Sequence, residues 1–262
     1  MPEQSKFDLP RLAIALRPLK LHHFEQLAST NDKAIELRRS GELFAPAIVL
    51  ATRQTAGRGR GSNRWLSGAG SLTVTYVLPV EEHLQPHQLP LVAGIAVRNA
   101  VAELTGDVDV SLQWPNDVLH SGRKLAGLLC ERVNGVDMIG IGINVNQCPA
   151  ATEIKTSALS LAAMVGHDLD LNEVLITLTA HLKQRLLARH SQPFGAFLKE
   201  YRQYDALLGQ DIVVESPAES APLHGTCEGI DEEGRLLVRC ERRLHRIIAG
   251  SITLLQGNGI RE

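Results

Sequence analysis

Twelve residues, QTAGRGRGSNRW (54–65), gather three glycines and three arginines in a chain whose formal net charge is −2. Arg58, Arg60 and Arg64 are interleaved with Gly57, Gly59 and Gly61, a spacing that suits neither a helix nor a packed strand. Glycine loses the most backbone freedom on folding and gives nothing to pack, so something outside the core must offset such a run. Backbone N–H groups without a neighbouring Cβ can converge on an anion, and guanidinium groups add bidentate, permanently charged donors. Carboxylate and phosphate oxygens are the natural targets. The plain alternative is a solvated, mobile loop or a nonspecific polyanion patch.

Three further stretches carry polar groups where a backbone turns or thins. In LQWPNDVL (112–119), Pro115 lacks a ladder N–H and biases Trp114 away from helix, so Pro-Asn-Asp makes a turn at a strand end. Asn116 and Asp117 there can cap a neighbouring element, or hold a metal ion or a substrate hydroxyl. GRKLAGLL (122–129) puts Lys124 at a strand start, with Gly127 open to close approach by a ligand or backbone; a lone lysine at such an edge can equally be a solvated charge. IGIGINVN (139–146) has Gly140 and Gly142 inside an apolar strand, which a bulge or a ligand pressed on the backbone would explain, and Asn144 supplies an amide able to read a base or sugar.

Several chemistries lack their residues. There is no Gly-Lys dipeptide for a Walker loop and no Gly-x-Gly-x-x-Gly. No Gly-x-Ser-x-Gly elbow, His-Glu-x-x-His helix or kinase set occurs. His22 and His23 are adjacent, so on a strand they point to opposite faces and cannot clamp one metal together. The four cysteines, Cys130, Cys148, Cys227 and Cys240, show no Cys-x-x-Cys spacing, which argues against structural zinc and a disulfide framework.

The elements that must position these groups follow from periodicity and punctuation. Residues 20–27 read as a strand, and Ser29-Thr30-Asn31 offers capping side chains to a helix beginning at Asp32. Residues 46–54 and 71–79 are apolar or β-branched strands on either side of the glycine/arginine loop. Residues 89–106 have helical periodicity and stop at Gly106. A short strand over 108–114 runs into the Pro-Asn-Asp turn, and Asn134-Gly135 joins two strands as a hairpin. Helices are expected at about 158–166, 171–190 and 194–205. From Gly209 the pattern changes to four short strands, in QDIVVES, LHGTCEGI, GRLLVRC and RIIAGSITLL, separated by Gly, Asp and Glu turns. That is the pattern of a small β-barrel of SH3-like or OB-like size. The division falls near 206–209, giving domains 1–208 and 209–262.

The 262 residues suffice for a full core, and 44% hydrophobic with 21% charged residues is the composition of an ordinary folded protein. The slightly acidic balance argues against a wholesale nucleic-acid binder, and no DNA partner is expected. The N-terminal apolar patch is broken by Arg17 and Pro18, no run approaches the ~20 apolar residues of a membrane helix, and a cytoplasmic protein without a membrane partner is expected.

Taken in order, Ser29-Thr30-Asn31, QTAGRGR (54–60), Trp65, WPND (114–117), KLAG (124–127) and GIGIN (140–144) resemble the biotin–protein ligase family over residues ~20–146, and the small C-terminal β-domain continues the likeness. The resemblance implies an α+β fold, a mixed β-sheet catalytic domain packed with helices plus an SH3-like C-terminal barrel. It implies that biotin's carboxylate attacks the α-phosphate of ATP to give biotinyl-5′-AMP and pyrophosphate, and that a lysine of a biotin carboxyl carrier protein then takes the biotinyl group. Such an enzyme works mainly by positioning and charge stabilisation. By the same resemblance Arg60, Lys124 and Asp117 are catalytic. Ser29, Thr30, Asn31, Gln54, Gly57, Arg58, Arg60, Trp65, Lys124, Gly127 and Gly140 bind biotin, while Arg58, Arg60, Asn116, Lys124 and Asn144 bind ATP. No protein metal site is implied, and Mg2+ is expected on the ATP phosphates. The glycine/arginine loop becomes a lid that orders over the carboxylate or adenylate and keeps water from the anhydride.

The chain departs from the family pattern at four places. Gly61, Ser62 and Asn63 interrupt a run that the family commonly continues with basic residues, and Gln113 stands where it often has lysine. No clear aromatic to stack on adenine stands out after Asn144, so that part of the nucleotide site is unassigned. Only ~20 residues precede the first strand, too few for the winged-helix DNA-binding domain of some members, so no repressor role is expected. Oligomeric state is not legible, and a homodimer stays open. Two other readings compete: a lipoate- or octanoate-transferring enzyme of the same superfamily, and a non-catalytic anion- or RNA-binding module. Ser/Thr/Gln groups suited to a ureido ring favour biotin over the first, and the missing aromatic interleaving weighs against the second.

Overall fold

Strand alternation and helix caps set the order of elements in the computed structural model, which describes residues 7–68, 70–150, 157–187 and 193–255. Helix α1 (Leu9–Ala15), capped by Asp8, precedes β1 (Lys20–Leu27), α2 (Thr30–Arg39), β2 (Ala47–Gln54) and β3 (Ser71–Pro79). Then come α3 (Leu89–Thr105), β4 (Val110–Gln113), β5 (Asp117–His120), β6 (Arg123–Val133) and β7 (Val136–Asn144). Helices α4 (Leu161–Val165), α5 (Leu171–Leu182) and α6 (Gly195–Gln203) follow, and β8 (Asp211–Glu215), β9 (Leu223–Ile230), β10 (Leu236–Cys240), β11 (Arg243–Ile247) and β12 (Ser251–Leu254) end the described chain.

The first seven strands form one mixed sheet in the order β1-β2-β3-β7-β6-β5-β4, parallel only between β1 and β2. One face is covered by α3 and α5, with α6 packed against α3, over a continuous aliphatic core. A smaller cluster, including Ala34, Leu37, Val49 and Met138, seats α2 on the opposite face. β6 and β7 turn through Asn134 and Gly135, both left-handed (φ 51° and 74°), the geometry a two-residue hairpin with this strand twist requires. The last five strands form an antiparallel sheet in the order β11-β10-β9-β8-β12. Its apolar residues join the main core, and the buried Trp114 fastens the joint by donating its indole N–H to Gly234 O at 3.1 Å.

Several expectations change. Residues 117–120 form β5, which the turn signal at Pro115 hides. The apolar patch near the N-terminus is a helix, α1. Residues 246–255 split at Gly250 between β11 and β12, because β11 begins earlier as a hairpin partner of β10. The glycines of β7 mark no bulge, since its register to β3 and β6 is unbroken. The bulge lies between β5 and β6 instead. α5 ends at Leu182 and continues as a π-helical turn to Leu187, and residues 188–190 of the expected helix lie outside the described residues. No helix among the described residues is long and apolar enough to cross a membrane.

Candidate active site

The site occupies the sheet face opposite α3, and its floor is made of glycine. Gly127 of β6 pairs with Gly142 of β7, and Leu129 with Gly140. The Trp65 indole rests on this floor so closely that a Cβ on Gly142 would lie 2.3 Å from its Cε2. A Cβ on Gly140 would lie 2.1 Å from Asn31 Oδ1. What presses on the two β7 glycines is therefore side chains of the protein itself.

One end of the floor is a polar pocket at the start of α2. Ser29 caps the helix by accepting the Asp32 N–H at 3.4 Å. Thr30 donates both its N–H (2.7 Å) and its hydroxyl (3.1 Å) to Gln54 Oε1, which turns the Gln54 amide nitrogen toward other acceptors. Asn31 is spent within the protein: Nδ2 donates to Leu129 O and to Glu131 Oε2 at 2.8 Å, while Oδ1 accepts from the Thr75 hydroxyl at 2.6 Å.

The glycine/arginine loop folds as a small hairpin over this floor. Trp65 N–H donates to Gly57 O, Gly59 N–H to Asn63 O and Asn63 N–H to Arg60 O. A Cβ on Gly57 would meet Trp65 O at 2.5 Å, so closing this hairpin needs glycine there. Arg58 is gripped by carboxylates, with Nη2 2.7 Å from Glu131 Oε2 and Nε 2.7 Å from Asp32 Oδ1. Burial works to lower its pKa, and the Glu131 and Asp32 carboxylates outweigh burial and raise it. Arg60 points elsewhere. Its Nη1 donates to Gly250 O (3.2 Å) in the C-terminal sheet and to Asn116 Oδ1 (3.4 Å), and burial lowers its pKa while the Asp117 charge pulls the other way.

At the far end, Lys124 Nζ sits 2.7 Å from Asp117 Oδ1 and 6.0 Å from the centroid of Trp65. The bulge explains how it gets there. Asp117 pairs with Gly127 but Leu119 pairs with Lys124, so β6 holds one extra residue. Leu125 and Ala126 both turn into the core, and Lys124 joins Gly127 on the site face. Asn116 is fixed by bonds to and from Leu128. Asn144 donates to Lys124 O at 3.2 Å, and its Oδ1 is buried without a partner among the described residues. The whole cleft holds about 1210 Å³, and the β8–β9 loop (Ser216, Glu219, Ser220) and Gly250 close its outer wall. No metal-ligating cluster of His, Cys, Asp or Glu occurs among the described residues.

Every site residue expected from sequence except Gly57 thus borders one cleft, and Gly57 is buried in the hairpin beneath Trp65. Sequence reasoning missed Glu131, Asp32 and the wall from the C-terminal sheet. Glu131 had a signal: a charged residue an even step beyond Gly127 and Leu129, directly after the apolar run Leu128–Cys130.

Residues 23–147 match the family described as "Biotin/lipoate A/B protein ligase family", and residues 207–255 match "Biotin protein ligase C terminal domain". The chain is 32% identical over 240 residues to a biotin–[acetyl-CoA-carboxylase] ligase of Mycobacterium tuberculosis, covering 88% of this chain and 87% of that one. It is 34% identical to the Paracoccus denitrificans enzyme of the same name, over 80% of this chain and 90% of the other. Among solved structures, the biotin protein ligase of Aquifex aeolicus in complex with biotin and ATP superposes with a TM-score of 0.79 at 30% identity, over 90% of this chain and 99% of that one.

Proposed function

The chain belongs to the biotin/lipoate A/B protein ligase family, and we propose that the cleft described above carries both halves of its reaction. The chain is an ATP-dependent biotin–protein ligase. In the first half-reaction a carboxylate oxygen of biotin attacks the α-phosphorus of ATP, the bond to the bridging oxygen breaks, and pyrophosphate leaves. In the second, the unprotonated amine of a carrier-protein lysine attacks the acyl carbon of biotinyl-5′-AMP. An amide forms, the proton goes to solvent, and AMP leaves.

The residues divide this work by chemistry. A ureido ring offers two N–H donors and one carbonyl, which match the hydroxyl oxygens of Ser29 and Thr30 and the free Gln54 amide nitrogen. Trp65, seated on the glycine floor, suits the apolar ring and valeryl chain. The carboxylate and α-phosphate then fall between Lys124 and Arg60, which offset the charge gathering at the phosphorus in transit. The observation that carries this reading is the meeting of those two cations beside Asp117, at the end of a floor whose other end is the Ser29–Thr30–Gln54 pocket. Asn144 Oδ1, an orphaned oxygen in the same cleft, and the Asp117 carboxylate are the hard donors that would hold Mg2+ carried in on ATP. That ion supplies charge neutralisation on the phosphates. The carrier protein is the acceptor because the product is an amide at lysine, and the wall from the C-terminal sheet borders its approach.

Biotin-dependent exchange of labelled pyrophosphate into ATP tests the proposal. Exchange supported by lipoate instead of biotin, or no exchange with either, overturns it. Arg60→Ala should release biotinyl-AMP faster than the parent; release at the parental rate counts against the loop's part.

A further inference from the structure

Arg58 stands at the hinge of the loop and is held from two sides. Its Nη1 and Nη2 donate to Glu131 Oε1 and Oε2 at 3.2 and 2.7 Å, a two-point fork that fixes the plane of the guanidinium as well as its position. Asp32, in the first turn of α2, takes the second side through Nε. Glu131 is itself oriented: Asn31 Nδ2 donates to its Oε2, and Asn31 is pinned by Thr75 and by Leu129 O. A chain of fixed bonds therefore runs from the buried β3 through the head of α2 to the backbone of the loop. The guanidinium of Arg58 is spent on carboxylates and is a poor candidate for a phosphate contact. Partly exposed ion pairs add little to stability, so holding two long side chains in this fork calls for another reason.

We propose that Glu131 is a positioning residue for the ligation: acting through Arg58, it holds the glycine/arginine hairpin down on the pocket, so that Arg60 and the loop N–H groups are placed before biotin's carboxylate arrives. This rests on the reading of the loop as the cover of the carboxylate and adenylate. Groups held in place in advance lose less freedom when the ligand binds, so the effect falls on retention and affinity more than on turnover.

The test compares Glu131→Gln, Glu131→Asp, Arg58→Ala and the Glu131→Gln/Arg58→Ala double variant of the full chain, with Arg60→Ala alongside. Three quantities are measured: release of preformed biotinyl-AMP, biotin KM and kcat in pyrophosphate exchange, and tryptic cleavage at Arg58, Arg60 and Arg64. Glu131→Gln should speed release and raise biotin KM by roughly tenfold, as for a lost charge-assisted contact, with kcat moving far less. Its loop should be cut faster, and Glu131→Asp should recover most of the retention. Because Glu131 acts through Arg58, the double variant should be no worse than Arg58→Ala alone. If Glu131→Gln folds poorly, Arg58→Ala reads the same fork from its other end: its loop should be cut faster at Arg60 and Arg64, and cleavage at the parental rate overturns the proposal. Parental retention in Glu131→Gln while Arg60→Ala leaks overturns the proposal, and so do losses that multiply in the double variant. Parental retention in Arg60→Ala overturns the cover itself, and Glu131's part with it.

Discussion

The two faces of the seven-stranded sheet are built from the same strands and obey opposite rules. Along β7, Ile139, Ile141 and Ile143 face α3 in the large core, while Gly140, Gly142 and Asn144 face the cleft. β3 repeats the pattern, with Leu72, Val74 and Tyr76 against the helices and Thr73 and Thr75 paired across from Gly142 and Gly140. A period of two lets one strand do both, because each residue answers to one face only. The helix-covered face is chosen to fill space, and a polar atom on it is paired, as the Tyr76 hydroxyl is with Thr179 Oγ1 at 2.8 Å. The open face is chosen to leave space and to aim a few polar atoms into it. Substitutions on the first should therefore be read in stability, and on the second in affinity and rate.

The sharpest check is a neighbouring pair read on different instruments. Ile141→Ala leaves a cavity in a packed core and should cost about 4 kcal/mol in chemical denaturation, with biotin KM near parental while the chain stays folded. Next in size, Lys124→Ala should slow adenylation by about 10²-fold or more, roughly 2.7 kcal/mol, with an unfolding midpoint close to the parent. Adenylation at the parental rate would make Lys124 a solvated edge residue after all.

These roles were unevenly legible in the residues. Local chemistry was plain: Asn134-Gly135 made its hairpin, Gly106 stopped its helix, and Ser29 capped α2, because each signal acts within a few residues. The glycine/arginine loop and the order of the polar motifs pointed to the cleft. What stayed hidden depends on partners far along the chain. Arg58 meets Glu131 across 73 positions and Arg60 meets Gly250 across 190, and no spacing rule reaches that far. Lys124 reaches the site face only through a bulge, which strict alternation would have placed on the other side.

One polar group breaks the division between faces, and it gives a smaller test. Asp205, half-buried beside β4 at the joint with the C-terminal sheet, has its Oδ2 buried and unpartnered among the described residues. Burial raises its pKa to about 6, against the opposing pull of the Leu207 N–H and Arg202. A carboxyl whose folded pKa is raised is best tolerated when protonated. Its stability is full below the unfolded value near pH 4 and is lost as pH rises through about 6. Asp205→Asn should thus fall somewhat below the parent near pH 4, where its amide N–H lacks an acceptor, and exceed it by about 1–2 kcal/mol at pH 8, the full linkage value being reduced by that same constant penalty. Equal stability at pH 8 would mean that the joint solvates this carboxylate.

The smallest expected effect lies closest to the chemistry. Gly142→Ala adds one methyl on the open face, where Trp65 must move away from a contact of 2.3 Å. Overpacking of this kind costs about 1–3 kcal/mol when the neighbour cannot yield. Here the neighbour is a side chain at the edge of a cleft, so it can yield outward. The strain is then expressed as a displaced indole rather than as lost fold, and biotin KM should rise about tenfold while the unfolding midpoint barely moves. A large drop in stability with unchanged KM would show that Trp65 is packing for the sheet and not a wall of the site, and the two faces would then differ less than their residues suggest.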